Sequence, residues 1–130
     1  MQQPTYVVDP ATQVELVVPP FATPAETIDR AARERAGLLR EVHFYPGPGN
    51  EWPLWEGSQL NPVTPESLGV SSELASAVRS WCERWEEAVG HGGDLRDEGT
   101  FATWADEGDH LVQRLMSETW PIADVIAEHR

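Results

Sequence analysis

Residues 71–89 read SSELASAVRSWCERWEEAV, and their spacing decides the class of fold. Leu74, Val78, Trp81 and Trp85 recur every three or four residues, with Ala77, Cys82 and Ala88 widening the stripe. That is the period of a helix buried along one side. Ser71 or Ser72 supplies the hydroxyl that caps its first free amides. A second such stretch, TFATWADEGDHLVQRLMSETW over 100–120, carries Phe101, Trp104, Gly108, Leu111, Val112 and Leu115 on its inner face. Gly108 falls in this apolar line, where a missing side chain lets a neighbouring backbone or a Trp ring come close. Pro121 ends the helix, and the Gly-rich GHGGDLRDEG between the two helices predicts a loop. Trp81, Trp85 and Trp104 are the expected filling between the helices.

Upstream, Thr5–Val8 and Gln13–Val18 are β-branched runs around Asp9-Pro10, a turn sequence, and predict a hairpin ended by Pro19-Pro20. Thr23, Pro24 and Glu26 spell a capping box. The helix they open has a narrow, Ala-rich stripe (Ile28, Ala32, Ala36, Leu39) and should lie shallowly on the body. Val42 and Phe44 alternate with His43 and Tyr45 in a short strand stopped by Pro46. DVIAEHR, 124–130, predicts a last strand with Val125 and Ala127 on one face. Residues 46–70, rich in Pro and Gly, predict a long irregular connection with one turn at Thr64–Leu68, closed by Gly69.

The elements are grouped rather than alternating, which points to an α+β fold. The expected architecture is a small antiparallel or mixed sheet, of about four short strands, packed against two long amphipathic helices plus one N-terminal helix. A length of 130 residues suits a single domain, 1–130. Within it, 1–40 form the N-terminal hairpin and helix, and 41–130 an acidic core region with the long loop 46–70.

Twenty-two acids against nine bases give a net charge of −13, and every base is Arg. The imbalance is local: residues 1–40 are nearly neutral, with five acids and four Arg, whereas 41–130 hold seventeen acids and five Arg. Such a field disfavours nucleic acid and anionic membrane surfaces and favours a basic protein partner. The bland alternative is that acidity only maintains solubility. A lone Cys82 forms no intrachain disulfide and fits a reducing compartment. MQQPTYVVDP lacks the basic and apolar regions of a signal peptide, so a cytoplasmic location is expected. No Lys, three Ile and two Asn suggest a GC-rich genome.

No motif announces an active site. Glu107 and His110 stand i,i+3 on a helix, the spacing by which di-iron bundles present ligands, with Asp106 and Asp109 beside them. Such sites need a second pair on a facing helix, and none occurs, so a solvated acidic face is the stronger reading. His43, His91 and His129 belong to separate segments. Cys82, beside Glu83, Glu86 and Glu87, lacks the cationic neighbours that activate a thiol. No catalytic residue, metal ligand or cofactor is assigned. EWPLWEG, residues 51–57, admits two readings. At least one of Trp52 and Trp55 should plug the loop onto the core, while Glu51 and Glu56 form an acidic rim suited to an Arg- or Lys-rich partner.

WPLWEG, PESLGVSSELASAVRSWCERWEE and FATWADEGDHLVQRL resemble a pattern found in small acidic, Trp-rich proteins of high-GC actinobacteria, over residues 51–116. The resemblance implies no active site. Proteins of this kind are similar in character to immunity proteins, which neutralise a cognate toxin. The expected function is therefore a non-enzymatic immunity or inhibitor protein that blocks a basic toxin or enzyme. Glu51, Trp52, Trp55 and Glu56 are its expected contact residues, with Asp106, Glu107 and Asp109 steering the approach. The alternatives are a homo-oligomeric structural or phage-type component, such as a homodimer paired through the Trp surface, and a metal-dependent enzyme using Glu107 and His110.

Overall fold

A computed structural model describes residues 3–85 and 98–130. Strands β1 (Thr5–Val8) and β2 (Glu15–Val18) pair antiparallel, Tyr6 opposite Val17, as a two-stranded sheet. Helix α1 (Pro24–Arg35) follows, opened by the expected capping box: Thr23 Oγ1 accepts from the Glu26 amide, and Glu26 accepts from the Thr23 amide. Next come β3 (Arg40–Phe44), β4 (Leu54–Glu56), β5 (Asn61–Pro62) and a 3-10 turn, Glu66–Leu68, closed by Gly69 at φ 72°. Helices α2 (Ser72–Glu83) and α3 (Glu98–Thr119) and strand β6 (Ala123–Ala127) complete the described chain. The second sheet runs β5-β4-β3-β6, with β3 antiparallel to β4 and parallel to β6.

The structure is α+β, and it corrects the expected architecture. There are two sheets, one of two and one of four strands, with three α-helices among the described residues. The N-terminal hairpin does not join the main sheet. It packs on α1 and turns Tyr6, Val8 and Val17 outward. Two strands of the main sheet come instead from 46–70, expected to be irregular. The prolines there do not break the ladder: Pro53 precedes β4, and Pro62 lies in the outermost strand, where a missing donor is tolerated. Only α3 is long; α2 covers 12 residues. The expected continuation of α2 over 86–89 and the loop over 90–97 lie outside the described residues, and Glu98 and Gly99 belong to α3.

The core sits between one face of the main sheet and the pair α2 and α3. Val42, Phe44, Leu54 and Val125 from the sheet meet Leu74, Val78, Trp81, Trp104, Leu111 and Leu115 from the helices. Trp81 and Trp104 stack at 4.3 Å and 7°. Each indole also donates to the other residue's carbonyl, Trp81 Nε1 to Trp104 at 2.7 Å and Trp104 Nε1 to Trp81 at 3.1 Å. Gly108 makes this possible, because a Cβ there would lie 2.7 Å from Trp81 Cζ2 and from the His129 ring. Trp85 is half-buried at the margin of the core.

The N-terminal unit docks on the rest. Asp9, fully buried in the hairpin turn, accepts from the Ala11 amide and pairs with Arg35 at 2.6 Å. Its carboxyl is held below the usual range, first by the Ala11 amide and then by Arg35. Phe21 packs edge-on against Trp120 at 5.4 Å. Arg30 reaches the turn between α3 and β6, donating to the Trp120 and Ala123 carbonyls and to Asp124.

His43, on β3, is bonded to Glu128 and lies 3.0 Å from Glu41, so its imidazole pKa is raised, chiefly by the Glu128 hydrogen bond. In the unfolded chain the group titrates near its ordinary value, about 6.5. Its contribution to stability is therefore complete below that pH and is lost as pH rises through the folded value. Denaturation midpoints of the wild type should fall from pH 6 towards pH 8 more than those of His43→Gln. Parallel pH curves would refute this.

Candidate partner-binding surface

The segment 46–57 is pinned from below. Trp55, on β4, is only 8% exposed. Its ring stacks on Tyr45 at 5.2 Å and 9°, and Nε1 donates to the Tyr45 carbonyl at 2.9 Å. Gly47 leaves room for the ring edge, since a Cβ there would lie 3.2 Å from Trp55 Cζ2. Asn50 shapes the bend: its amide donates to the Leu54 carbonyl at 2.7 Å, and its side-chain oxygen accepts from the Trp52 amide at 3.0 Å. Trp55 is thus the plug that holds this loop onto the sheet.

Trp52 is half-buried and lies beneath Arg79 of α2, whose guanidinium stands 5.6 Å from the ring centre. Arg79 also contacts Glu51 at 3.4 Å and Glu83 at 3.3 Å. Both acids are more than 60% exposed. Glu56 is different. It makes a two-pronged pair with Arg40, at 2.9 and 2.7 Å, and Arg40 also donates to the Ser67 carbonyl. The Arg40 hydrogen bonds hold the Glu56 carboxyl low. This pair ties β3 to β4 and the turn that follows.

The three acids of α3 expected to steer a partner divide in the same way. Asp106 and Asp109 share one cation, Arg130, at 2.7 and 2.8 Å. Asp109 Oδ1 also lies 2.9 Å from His129 Nε2, whose hydrogen-bond partner is the Ala105 carbonyl at 3.0 Å. Glu107 is bound at both oxygens by Arg84, the residue that caps α2, at 3.2 and 2.7 Å, which lowers its pKa. Its oxygens are therefore committed to a guanidinium rather than open to a metal. Among the described residues no group of three or more His, Cys, Asp and Glu is placed to hold a metal ion. Burial, with Glu83 beside it, pushes the Cys82 thiol up to about 11, far from a reactive thiolate.

Two kinds of acid emerge. Glu56 and Glu107 are each bound at both oxygens by one guanidinium, that of Arg40 and that of Arg84. Glu51 with Glu83, and Asp106 with Asp109, each share a single Arg and keep net negative charge at the surface. The family model described as Serratia CdiI immunity protein-like matches residues 49–126. The chain belongs to this family. The match to the CdiI immunity protein-like family takes in the pinned loop from residue 49 on, α2, α3 and most of β6, and leaves out the hairpin, α1 and strand β3. Among curated proteins there is no match. No helix of the described residues is long and apolar enough to cross a membrane.

Of the residues expected at the surface, Glu51 and Trp52 stand together on the loop, Trp55 and Glu56 belong to β4, and Asp106, Glu107 and Asp109 lie on α3. Helix α2 stands between, joined to the loop by Arg79 and to α3 by Arg84. Sequence reasoning missed Arg79, Glu83 and Arg130. The i,i+4 spacing of Arg79 and Glu83 was readable; nothing local linked Arg130 to Asp106, 24 residues away.

Proposed function

We propose that the chain is an immunity protein that acts without enzymatic chemistry, binding a basic toxin or enzyme in the cytoplasm of the cell that makes it. Family membership supports the toxin-neutralising character. The basic nature of the partner rests on one observation: at two places a single exposed Arg is shared by two exposed acids, on a chain of net charge −13. Exposed ion pairs contribute only about 0–1 kcal/mol, so a partner's Lys or Arg can join or displace these Arg at small cost. Glu51, Glu83, Asp106 and Asp109 supply the attraction, and Trp52 supplies apolar area beside it. Trp55, Glu56 and Glu107 hold the surface in shape.

The test begins with the immobilised chain in a lysate of the source organism at low salt. A captured basic protein is then purified and its association rate measured against salt. The rate should fall steeply as salt screens the attraction. The double variant Glu51→Gln, Asp106→Asn should associate about five-fold more slowly at low salt and near the wild-type rate at high salt. A rate indifferent to salt, or to the double substitution, refutes the electrostatic reading.

A further inference from the structure

Between α2 and α3, on this otherwise acidic chain, lies a cleft of about 380 Å³ with a basic lining. Arg84 and Ser80 enter it from α2, and His110 and Arg114 from α3, over an apolar floor of Ala77 and Leu111. Glu107 is the one acid in the lining, and Arg84 occupies both its oxygens. Arg114 is left without a carboxylate partner among the described residues. Its own-helix partner would be Glu118, one turn on. Both Glu118 oxygens are taken at the start of α2, accepting from the Ser71 amide at 2.7 Å and from its hydroxyl at 3.0 Å. This matters in a chain where acids outnumber Arg by 22 to nine. Of the eight Arg among the described residues, Arg30, Arg35, Arg40, Arg79, Arg84 and Arg130 pair with carboxylates; Arg33, exposed on α1, is the other one that does not.

We propose that this cleft receives the carboxylate of a glutamate or aspartate side chain projecting from the partner protein. The proposal rests on the binding-protein reading above and adds a specific subsite to it. The volume lies at the small end of ligand pockets, which suits a side chain rather than a whole ligand. Ala77 and Leu111 offer a surface for methylenes, and the planar Arg114 guanidinium can take both oxygens of one carboxylate. Ser80 and His110 supply further donors at the mouth. A free multivalent anion is repelled by the net charge of the chain, whereas a carboxylate on a basic protein is carried in by the attraction of the rest of that surface. Acids placed elsewhere on the partner would meet like charge, so the cleft fixes the register of docking.

The test uses the full isotopically labelled chain and needs no partner. N-acetyl-glutamate N-methylamide is titrated while the side-chain signals of Arg114 and His110 are followed by NMR, with Arg33 as a surface control. The expected result is a saturable shift at Arg114 and His110 but not at Arg33. It should weaken about tenfold or more with the glutamine analogue, and likewise in Arg114→Gln. Equal responses to glutamate and glutamine, or no response at about 0.1 M, overturn the proposal. Tighter binding of inorganic phosphate also overturns it, in favour of a free-anion site. Because the titration involves no toxin, it can fail while the salt-dependent association stands, and the reverse.

Discussion

Trp81→Ala is expected to cost about 4–5 kcal/mol, the large end of what removing a buried aromatic does. The ring is fully buried and lies between Phe44, at 4.8 Å, and Trp104, at 4.3 Å, so one substitution empties the contact between the sheet and both helices. It also removes the donor to the Trp104 carbonyl. A domain of this size has roughly 5–15 kcal/mol of stability in all, so the variant should be marginal at room temperature. Trp81→Phe retains a stacked ring and loses the indole hydrogen bond and part of the volume, and should cost about 2 kcal/mol. Urea unfolding of both variants checks this. A loss below about 1 kcal/mol for Trp81→Ala would show that the ring is not the keystone its burial implies.

The same residue shows how far the sequence carries. Trp81 was readable as core because Leu74, Val78 and Trp81 repeat at the helical period, and Gly108 because it interrupts an apolar line. The reciprocal indole-to-carbonyl bonds were not readable, since they depend on the register of two helices whose partner residues are 23 positions apart. Strand β4 was hidden for a different reason. Three residues, Leu54, Trp55 and Glu56, are too few to show a period, and Pro53 and Gly57 around them look like loop. Only pairing with Val42 and Phe44 makes them a strand. Glu56 shows the limit at the candidate surface: its sequence neighbours place it on an acidic rim, yet Arg40, 16 residues earlier, makes it a structural brace. Charge composition identifies an acidic surface, but which acids keep their charge for a partner depends on where each Arg folds to.

Arg30→Ala should cost about 3 kcal/mol, an unusual amount for an Arg on an otherwise shallow helix. Its side chain is only 14% exposed. One nitrogen donates to the Trp120 carbonyl at 2.8 Å and to that of Ala123 at 2.5 Å, and the other reaches Asp124 at 3.1 Å. The guanidinium also lies 3.9 Å from the centre of the Trp120 ring. Alanine would leave two carbonyls without this donor and Trp120 without its cation. Arg30→Lys keeps the charge but replaces a planar fork with a single ammonium, so it should recover about a third of the loss. These contacts, up to 94 residues apart in sequence, hold the hairpin-and-α1 unit against the part of the chain that defines the family. Amide exchange in α1 should therefore accelerate in Arg30→Ala well beyond the change in α3, where the Trp81–Trp104 lock persists. Equal acceleration in both helices would mean that the two units unfold together and that the clamp stabilises the whole rather than docking one part on the other.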